Sequence, residues 1–446
     1  MSKVKIIHLL CHLPLFAHKN MMAEEYFDVP EKGKYHKLDY PPYWVGFFAQ
    51  DHNAFAAKDF LELTDEFEIE CWRPYGYGLR ESHEENVNGI KHRVFPAYQK
   101  KYPQIGSITW SDELYNALID EINKDKIILN ISVGHAWFHI KLMRKIKKLK
   151  DKFGLVAIHR SGGFRSMSYS QLQFWKKLIK WYYFLESRID ADSLKQCDKY
   201  LISALPELEY IKKKKKDIPA EFFMEGVDFS KYRVLNKEEK RRLREELRLP
   251  LEKKILIAYG NWKSNDYGYQ HLLEVFRSIK KTDEGNDLEL VMIGGYKNQD
   301  LYQIGVESGA IMIEKVSKST FINYLEASDF FVQAVFSWGF VLFGGFGTAM
   351  IEALACGLPV ISNNIIHFPG TIEERKKLGL DMPDQASLRA NIIHMKNNLS
   401  EFTECRETAI KYYDLNDTST YLLNLYRQLS FKYFGVDTSL LNTKGL

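Results

Sequence analysis

The chain has 446 residues, of which 45% are hydrophobic and 27% are charged, and its formal net charge is +4. This composition is ordinary for a globular protein with a sizeable core, and the length suits two domains of common size. The charge is too small by itself to indicate a nucleic-acid-binding protein. The five widely spaced cysteines argue against a disulfide framework or a zinc site.

The predicted elements alternate between short apolar runs and longer helical patterns. In chain order, the predicted strands are 6–10, 68–72, 127–133, 155–159, 200–203, 254–259, 288–293, 311–313, 330–333 and 360–362. The predicted helices are 113–123, 139–150, 237–249, 267–279, 319–327, 348–355 and 417–434. Such alternation predicts an α/β fold of parallel sheets with helices on both faces, and sheets of this kind bind ligands beyond the carboxyl ends of their strands.

The sequence predicts three segments. We expect one sheet domain in residues 1–228, a second in residues 229–416, and C-terminal helices in residues 417–446 that pack back on the first domain. The first residues have the pattern of a strand and not of a signal peptide, and no segment approaches roughly 18 uncharged apolar residues, the length of a membrane span. Because the cysteine pattern also fits a reducing compartment, we expect a cytoplasmic protein.

The most informative segment is a glycine-rich turn. The sequence GGFG at 344–347 runs straight into the predicted helix 348–355, which carries one carboxylate, Glu352. Glycine lets a backbone come close to a ligand, and the first turn of a helix offers unpaired N–H groups to an anion. A phosphate next to a diol is the recognition problem posed by a nucleotide sugar. The alternative is a tightly packed strand–helix corner with a solvated glutamate.

Five segments of the second half carry a family resemblance, and they are 255–263, 267–276, 288–295, 325–333 and 346–361. Their order and spacing resemble the donor-binding half of retaining glycosyltransferases of the GT-B fold, in the large glycosyltransferase family 4-like group with sucrose-synthase-like and mannosyltransferase members. The resemblance covers roughly residues 220–415 and includes MEGVD at 224–228, which is similar to that group's interdomain turn. It implies two Rossmann-like, doubly wound domains that face a cleft, with the acceptor bound by the first and the nucleotide-sugar donor by the second.

The resemblance assigns the donor site residue by residue. Glu352 would bind the ribose, and the backbone of the turn would bind the diphosphate and sugar. The implied donor-binding residues are Gly260, Asn261, Lys263, Gly345, Phe346, Gly347, Thr348 and Glu352.

Three positions depart from the group's pattern. The acidic residue expected eight positions before Glu352 is Gly344, and the expected arginine and lysine of the first strand turn are Asn261 and Tyr267. Lys263 is then the candidate cation for the diphosphate, with a solvated loop lysine as the alternative. Without it, the charge of the leaving group would rest mainly on backbone dipoles.

The first half resembles the group more loosely. His159 ends the run LVAIH at 155–159, and by resemblance it faces the sugar and the acceptor, which makes it the candidate catalytic residue. The alternative is a buried structural histidine. His135, at the end of NISVGH, is a weaker candidate, and Arg160 is a candidate ligand for a phosphate on donor or acceptor.

Metals and cofactors are not expected. Asp-x-Asp spacing occurs at Asp190 and Asp192, but its context is a charged helix, and the resemblance implies no obligatory metal. The expected partners are a nucleotide sugar donor and a saccharide or lipid-linked acceptor.

Three basic clusters lie in the first half, at 141–150, 176–180 and 212–216. The first two interleave lysines with apolar or aromatic residues, which is the composition of a helix on an anionic membrane surface. The alternative for each is a solvated helix face. We therefore expect peripheral contact with the inner face of the membrane and a role in envelope polysaccharide or glycolipid synthesis. Nucleic acid is not expected because no recognised module accompanies the charges.

The sequence thus predicts a retaining, hexosyltransferase-type glycosyltransferase. The substitutions at Gly344, Asn261 and Tyr267 leave open a catalytically degenerate homologue that acts as a binding or assembly subunit. A sugar-phosphate or phosphorylase-type enzyme on the same fold is a third possibility, and it would depend on inorganic phosphate.

Overall fold

The structure is a computed structural model that describes residues 3–10, 64–75, 81–87, 89–102, 106–133, 138–159, 182–260, 268–294, 299–314, 316–335 and 345–441. The described chain forms two compact units. The first contains the chain up to Ile202, Pro206–Phe223 and the residues from Ser419 onward, and the second contains Ser203–Leu205 and Met224–Thr418. Each unit is built around its own sheet.

The described strands alternate with helices along the chain. The strands are β1 (Val4–Leu9), β2 (Phe67–Tyr75), β3 (His83–Val87), β4 (Ile90–Pro96), β5 (Tyr98–Tyr102), β6 (Gly106–Trp110), β7 (Ile127–Val133), β8 (Gly154–His159), β9 (Lys199–Ile202), β10 (Ala220–Phe222), β11 (Lys254–Gly260), β12 (Leu288–Gly294), β13 (Ile311–Ile313), β14 (Phe330–Gln333), β15 (Val360–Ser362) and β16 (Gly379–Asp381). The helices are α1 (Asp112–Lys124), α2 (Phe138–Ile146), α3 (Tyr182–Leu194), α4 (Leu205–Lys214), α5 (Lys237–Glu246), α6 (Tyr269–Lys280), α7 (Gln299–Glu307), α8 (Lys318–Ala327), α9 (Thr348–Ala355), α10 (Ile372–Leu378), α11 (Ser387–Asn397), α12 (Cys405–Tyr413) and α13 (Leu415–Phe434).

The first unit contains an eight-stranded sheet with the order β10-β9-β8-β7-β1-β2-β4-β3. Its neighbouring strands are parallel except β3, which runs antiparallel to β4. Every residue of the central strands β1, β7 and β8 is buried. Such near-continuous burial is the mark of a parallel sheet that is covered on both faces.

The C-terminal helix α13 packs against the first sheet. Leu423 and Tyr426 are fully buried in a core cluster with residues of β1, β2, β7 and β8. The side-chain amide of Asn130 donates a hydrogen bond to the Tyr426 hydroxyl at 2.6 Å. A side chain at Gly154 would lie 3.3 Å from Cβ of Leu429, so the glycine lets the helix approach the strand closely.

The second unit contains a six-stranded parallel sheet with the order β13-β12-β11-β14-β15-β16. Alternate residues of β11 enter separate cores on its two faces. Ile255 and Ile257 belong to one cluster, which includes α9, and Leu256 and Ala258 belong to the other, which includes α6. The sheet is therefore doubly wound, with the order reversing between β11 and β14.

The predicted α/β fold of two doubly wound sheets is confirmed. The ten predicted strands are all present, with ends that shift by at most a few residues. The segment from β3 to β6, together with β10 and β16, was not predicted because these short or polar runs lack a clear apolar pattern. The predicted helix 139–150 ends as an α-helix at Ile146 and continues as a 3-10 helix, Lys147–Lys152. Of the helices that the structure describes, none is long and apolar enough to cross a membrane.

Candidate functional site

The glycine turn enters helix α9 with backbone angles that favour glycine. Gly345 has φ of 68° and Gly347 has φ of 90°, and Gly347 occupies the N-cap position without a side-chain cap. Its carbonyl accepts hydrogen bonds from the N–H groups of Met350 and Ile351, at 3.1 and 3.3 Å. The first N–H groups of a helix have no partner within the helix, and the helix dipole makes this end attractive to an anion.

Phe346 anchors this turn through its side chain. The ring is fully buried and lies 5.3 Å from the ring of Tyr413 and 5.9 Å from that of Phe368, centroid to centroid. The side chain thus belongs to the core, and only the backbone of Phe346 remains for the predicted ligand contact.

Glu352 is a buried carboxylate on α9. It is 6% exposed, so the alternative of a solvated surface glutamate is wrong. Its Oε1 accepts a hydrogen bond from the Tyr232 hydroxyl at 3.2 Å, and the Lys318 ammonium forms an ion pair with the same oxygen. Lys318 begins α8, whose N-cap is Ser317. Two elements far apart in sequence therefore bring a phenol and an ammonium to one carboxylate.

Aromatic residues lie beside this ion pair. The ring of Phe321 lies 4.3 Å from the ring of Tyr259, and the Lys318 ammonium lies 5.4 Å from the Phe321 ring. Burial and the nearby charge of Glu352 raise the pKa of both Tyr232 and Tyr259 above the usual value, so both phenols stay protonated at neutral pH. Tyr259 is 37% exposed, so it presents an accessible ring near the carboxylate.

Buried amides hold the glycine turn to the strand ends. Asn364 is 1% exposed and donates through Nδ2 to the carbonyl of Gly345 at 3.1 Å. The backbone N–H of Asn364 donates to the Ser362 hydroxyl, which donates in turn to the carbonyl of Gln333 at 2.9 Å. These bonds tie the turn to β14 and β15 at their carboxyl ends, where the sheet was predicted to bind ligands.

Gly260, the last residue of β11, is required by close packing. A Cβ at this position would lie 1.7 Å from the hydroxyl oxygen of Tyr269, which itself donates to the carbonyl of Tyr259 at 3.0 Å. Asn261 and Lys263, the other predicted residues of this loop, lie outside the described residues, as do Gly344 and Tyr267.

His159 ends β8 in the first unit. Its Nδ1 lies 3.0 Å from Oε2 of Glu207, and both side chains are almost fully buried, with 2% and 0% exposed. Glu207 also accepts a hydrogen bond from the Tyr200 hydroxyl at 3.1 Å. The carboxylate is thus placed to form an ion pair with the imidazole when the imidazole is protonated. The role of His159 stays a prediction, and His135 and Arg160 lie outside the described residues.

Three side chains of the site were missed by sequence reasoning. Tyr232 and Lys318 carry no local signal, because their contacts with Glu352 join segments distant in sequence. Glu207 had a weak signal, since it is a carboxylate in the first turn of a helix that follows a strand.

The acidic side chains at 190 and 192 point apart. Asp190 is 4% exposed, with Oδ1 lying 3.8 Å from Nε2 of His139, whereas the Asp192 side chain is 74% exposed. Positions two apart on a helix do not face each other. Within the described ranges, no group of three or more His, Cys, Asp or Glu side chains is placed to hold a metal ion.

The first basic cluster lies on α2 and the 3-10 helix after it. Its apolar residues Leu142, Met143 and Ile146 are buried in the first unit, and Lys141 and Lys145 lie over the ring of Trp110, at 4.2 and 5.3 Å. The apolar half of the pattern is therefore used for packing within the unit. The exposed basic residues of this cluster are Arg144, Lys145, Lys147 and Lys148. In the third cluster, Lys212, Lys213 and Lys214 are exposed at the end of α4, as is Lys216 beyond it. The cluster at 176–180 lies outside the described residues.

Much of the second unit matches a known protein family. Residues 239–412 match the family model described as glycosyl transferases group 1. This match confirms the prediction of a glycosyltransferase-type enzyme and places α9 with its glycine turn inside the matched domain. No curated protein sequence matches the chain.

Solved structures with the same fold extend over nearly the whole chain. A glycosyltransferase from Rickettsia africae is 14% identical with a TM-score of 0.59, and the match covers 96% of this chain and 99% of that one. The Anabaena protein HepE, solved in complex with UDP-glucose, is 11% identical with a TM-score of 0.58 over 95% and 100% of the two chains. A UDP-forming α,α-trehalose-phosphate synthase from Burkholderia xenovorans, solved with glucose-6-phosphate, is 11% identical with a TM-score of 0.61 over 96% and 100%. The predicted GT-B fold is confirmed by these similarities.

Proposed function

We propose that the protein transfers a hexosyl group from a nucleoside diphosphate sugar to a saccharide or lipid-linked acceptor, with retention of the anomeric configuration. The observation that carries the proposal is the placement of Glu352, a buried carboxylate five residues into the helix that begins at the glycine turn. At 1.5 Å per residue, it lies about 7.5 Å along the helix from the N-cap. The start of helix α9, which favours an anion, and the Glu352 carboxylate, which can accept hydrogen bonds from hydroxyl groups, thus belong to the same helix.

Different residues of the second unit bind different parts of the donor. Glu352 accepts hydrogen bonds from the ribose hydroxyls, while Tyr232 and Lys318 orient its carboxylate. The backbone N–H groups of the Gly345–Thr348 turn bind the diphosphate, with Lys263 as its cation. The family model, which covers residues 239–412 of this unit, and the UDP-glucose complex of a structure with the same fold support the donor-binding role of the unit.

Retention follows if the acceptor attacks from the face that the diphosphate leaves. The bond between the anomeric carbon and the phosphate oxygen breaks, and the bond to the acceptor oxygen forms on the same face. The proton of the acceptor hydroxyl passes to the departing phosphate, so the step balances without a metal or cofactor. Backbone dipoles at the start of α9 stabilise the charge that develops on the leaving group.

His159 completes the proposal on the acceptor side. Its imidazole, oriented by Glu207, hydrogen-bonds a hydroxyl of the sugar or the attacking oxygen. Arg160 and His135 are assigned to a phosphate or hydroxyl of the acceptor on the sequence resemblance alone.

The acceptor is proposed to belong to the cell envelope. The exposed residues Arg144, Lys147 and Lys148 form a basic face that suits the anionic inner surface of a membrane. Contact through this face is electrostatic, because the apolar residues of α2 are buried. Sedimentation with anionic vesicles, compared with neutral ones, tests this part, and equal binding to both contradicts it.

Calorimetry with UDP and GDP tests the donor site. We expect one nucleotide to bind, and Glu352→Gln to weaken it about 10- to 100-fold, since a hydrogen bond to a charged group contributes about 1.5–3 kcal/mol. If neither nucleotide nor their sugars bind, the proposed function is wrong. A protein that binds a donor but never consumes it would be the binding subunit of the alternative.

A further inference from the structure

The amide of Gln333 stands beside the glycine turn. Gln333 ends β14 and is only 8% exposed, yet its Oε1 is buried without a hydrogen-bond partner among the described residues. A Cβ on Gly347 would lie 3.3 Å from Oε1 and 3.6 Å from Nε2 of this amide. A buried acceptor without a partner is costly and rare in native proteins, so a binding role accounts for it best.

The amide lies close to the start of α9 because the N-cap residue of this helix is glycine. Gly347 has no Cβ, and its φ of 90° keeps other residues from taking its place. The amide oxygen and the positive end of the helix thus lie next to each other. A ligand there needs an anionic part for the helix and a hydrogen-bond donor for Oε1.

The neighbouring buried amides have structural roles that Gln333 lacks. Asn364 braces the carbonyl of Gly345 through Nδ2, and Oδ1 of Asn363 accepts from the N–H of Val335 at 3.3 Å. No such bond is made by the Gln333 side chain within the described part of the chain. Oδ1 of Asn364 is likewise buried without a partner among the described residues, but the Asn364 amide is already held to the glycine turn through Nδ2, and the Gln333 amide is not.

We propose that Gln333 Oε1 accepts a hydrogen bond from a hydroxyl group of the sugar carried by the donor, and so selects that sugar. A phosphate offers only acceptors to this oxygen, whereas a sugar hydroxyl offers a donor. Gly344 has no side chain that could supply a competing acceptor. The inference rests on the proposed function, because it requires a nucleoside diphosphate sugar at the turn.

The test compares Gln333→Leu with the wild-type protein by calorimetry, using a nucleoside diphosphate and its sugar conjugate. We expect the variant to bind the sugar conjugate about 3- to 10-fold more weakly and the nucleoside diphosphate equally well. Its melting temperature should stay the same or rise, because leucine removes an unpaired buried oxygen. A purely structural role for the glutamine predicts a lower melting temperature and no selective loss of affinity for the sugar conjugate. Gln303→Leu, on α7, is the control for the same exchange at an exposed position.

Two results overturn the inference. If the variant binds both ligands like the wild-type protein, Gln333 makes no contact with the donor. If it loses affinity equally for both, the amide contacts the nucleoside diphosphate and not the sugar. Absence of all nucleotide binding by the wild-type protein is a different outcome, because it removes the proposed function itself.

Discussion

The hydroxyl of Tyr232 lies 3.2 Å from Oε1 of Glu352, although 120 residues separate them in the chain. The same oxygen carries the ion pair with Lys318, so the carboxylate is held from two sides. Held in this way, Glu352 keeps one orientation before a ligand arrives, and a preorganised acceptor costs a ligand less free energy on binding.

Removal of the Tyr232 hydroxyl should weaken the donor site without unfolding the protein. We expect Tyr232→Phe to lower nucleotide affinity several-fold, because the carboxylate loses a hydrogen bond of about 1.5–3 kcal/mol that orients it. The matched control is Tyr412→Phe, since the Tyr412 hydroxyl donates to Glu374 at 2.8 Å. Calorimetry on both variants checks this, and equal affinities would show that Tyr232 does not orient the site.

The glycine turn should not tolerate a side chain. Gly347→Ala is expected to destabilise the fold by about 1–3 kcal/mol, because alanine is strained at this backbone conformation, and to reduce nucleotide affinity. Gly309→Ala is the control, as Gly309 also has positive φ, at 78°, but a Cβ there meets nothing within 4 Å. Urea unfolding and nucleotide titration should show a loss of stability in both and a loss of affinity in Gly347→Ala alone. Full affinity in Gly347→Ala would exclude a ligand at this turn.

The pairing of His159 with Glu207 predicts an effect on turnover. Glu207→Gln keeps the size of the side chain but removes the charge that orients the imidazole, so we expect kcat to fall about 100-fold or more. Nucleotide affinity should not change, because the pair lies in the first unit. A melting curve separates this effect from unfolding, since a broken buried pair also lowers stability. Wild-type kcat in both Glu207→Gln and His159→Asn would identify His159 as a structural residue.

The C-terminal helix should contribute strongly to the stability of the first unit. Tyr426→Phe leaves the buried amide of Asn130 without its 2.6 Å partner, and we expect a loss of about 1–3 kcal/mol in the free energy of unfolding. Phe431→Ala on the same helix is the control, because Phe431 is 68% exposed and should change stability by about 0.5 kcal/mol or less. Similar urea midpoints for both variants would contradict the observed packing of α13.

The sequence predicted the local elements better than the contacts between them. The runs at 127–133 and 330–333 were correctly predicted as strands, because an apolar run can be recognised without knowledge of its distant partners. Glu352 was predicted as a ligand from the family resemblance and from its position after the glycine turn, but its partners were not predicted. Tyr232 and Lys318 reach it from different segments, and no periodicity records such a meeting. Gln333 was predicted only as a strand residue, since burial without a hydrogen-bond partner is visible only in three dimensions.

The basic cluster on α2 shows a second limit. A helix on a membrane surface and a helix that covers a sheet both show this alternation of lysine with apolar residues. The burial of Leu142 and Met143 shows that α2 is a helix of the second kind. The remaining charge can attract a membrane, but it supplies no apolar face for insertion.

Consumption of a nucleotide sugar is the most direct test of the central claim. The full chain is incubated with a panel of UDP and GDP sugars, release of the nucleoside diphosphate is measured, and the same panel is repeated with Glu352→Ala. We expect the wild-type protein to consume at least one donor and the variant to lose this activity. If the wild-type protein neither binds nor consumes any donor, or if Glu352→Ala consumes the same donor as well as the wild-type protein does, the proposed donor site is contradicted.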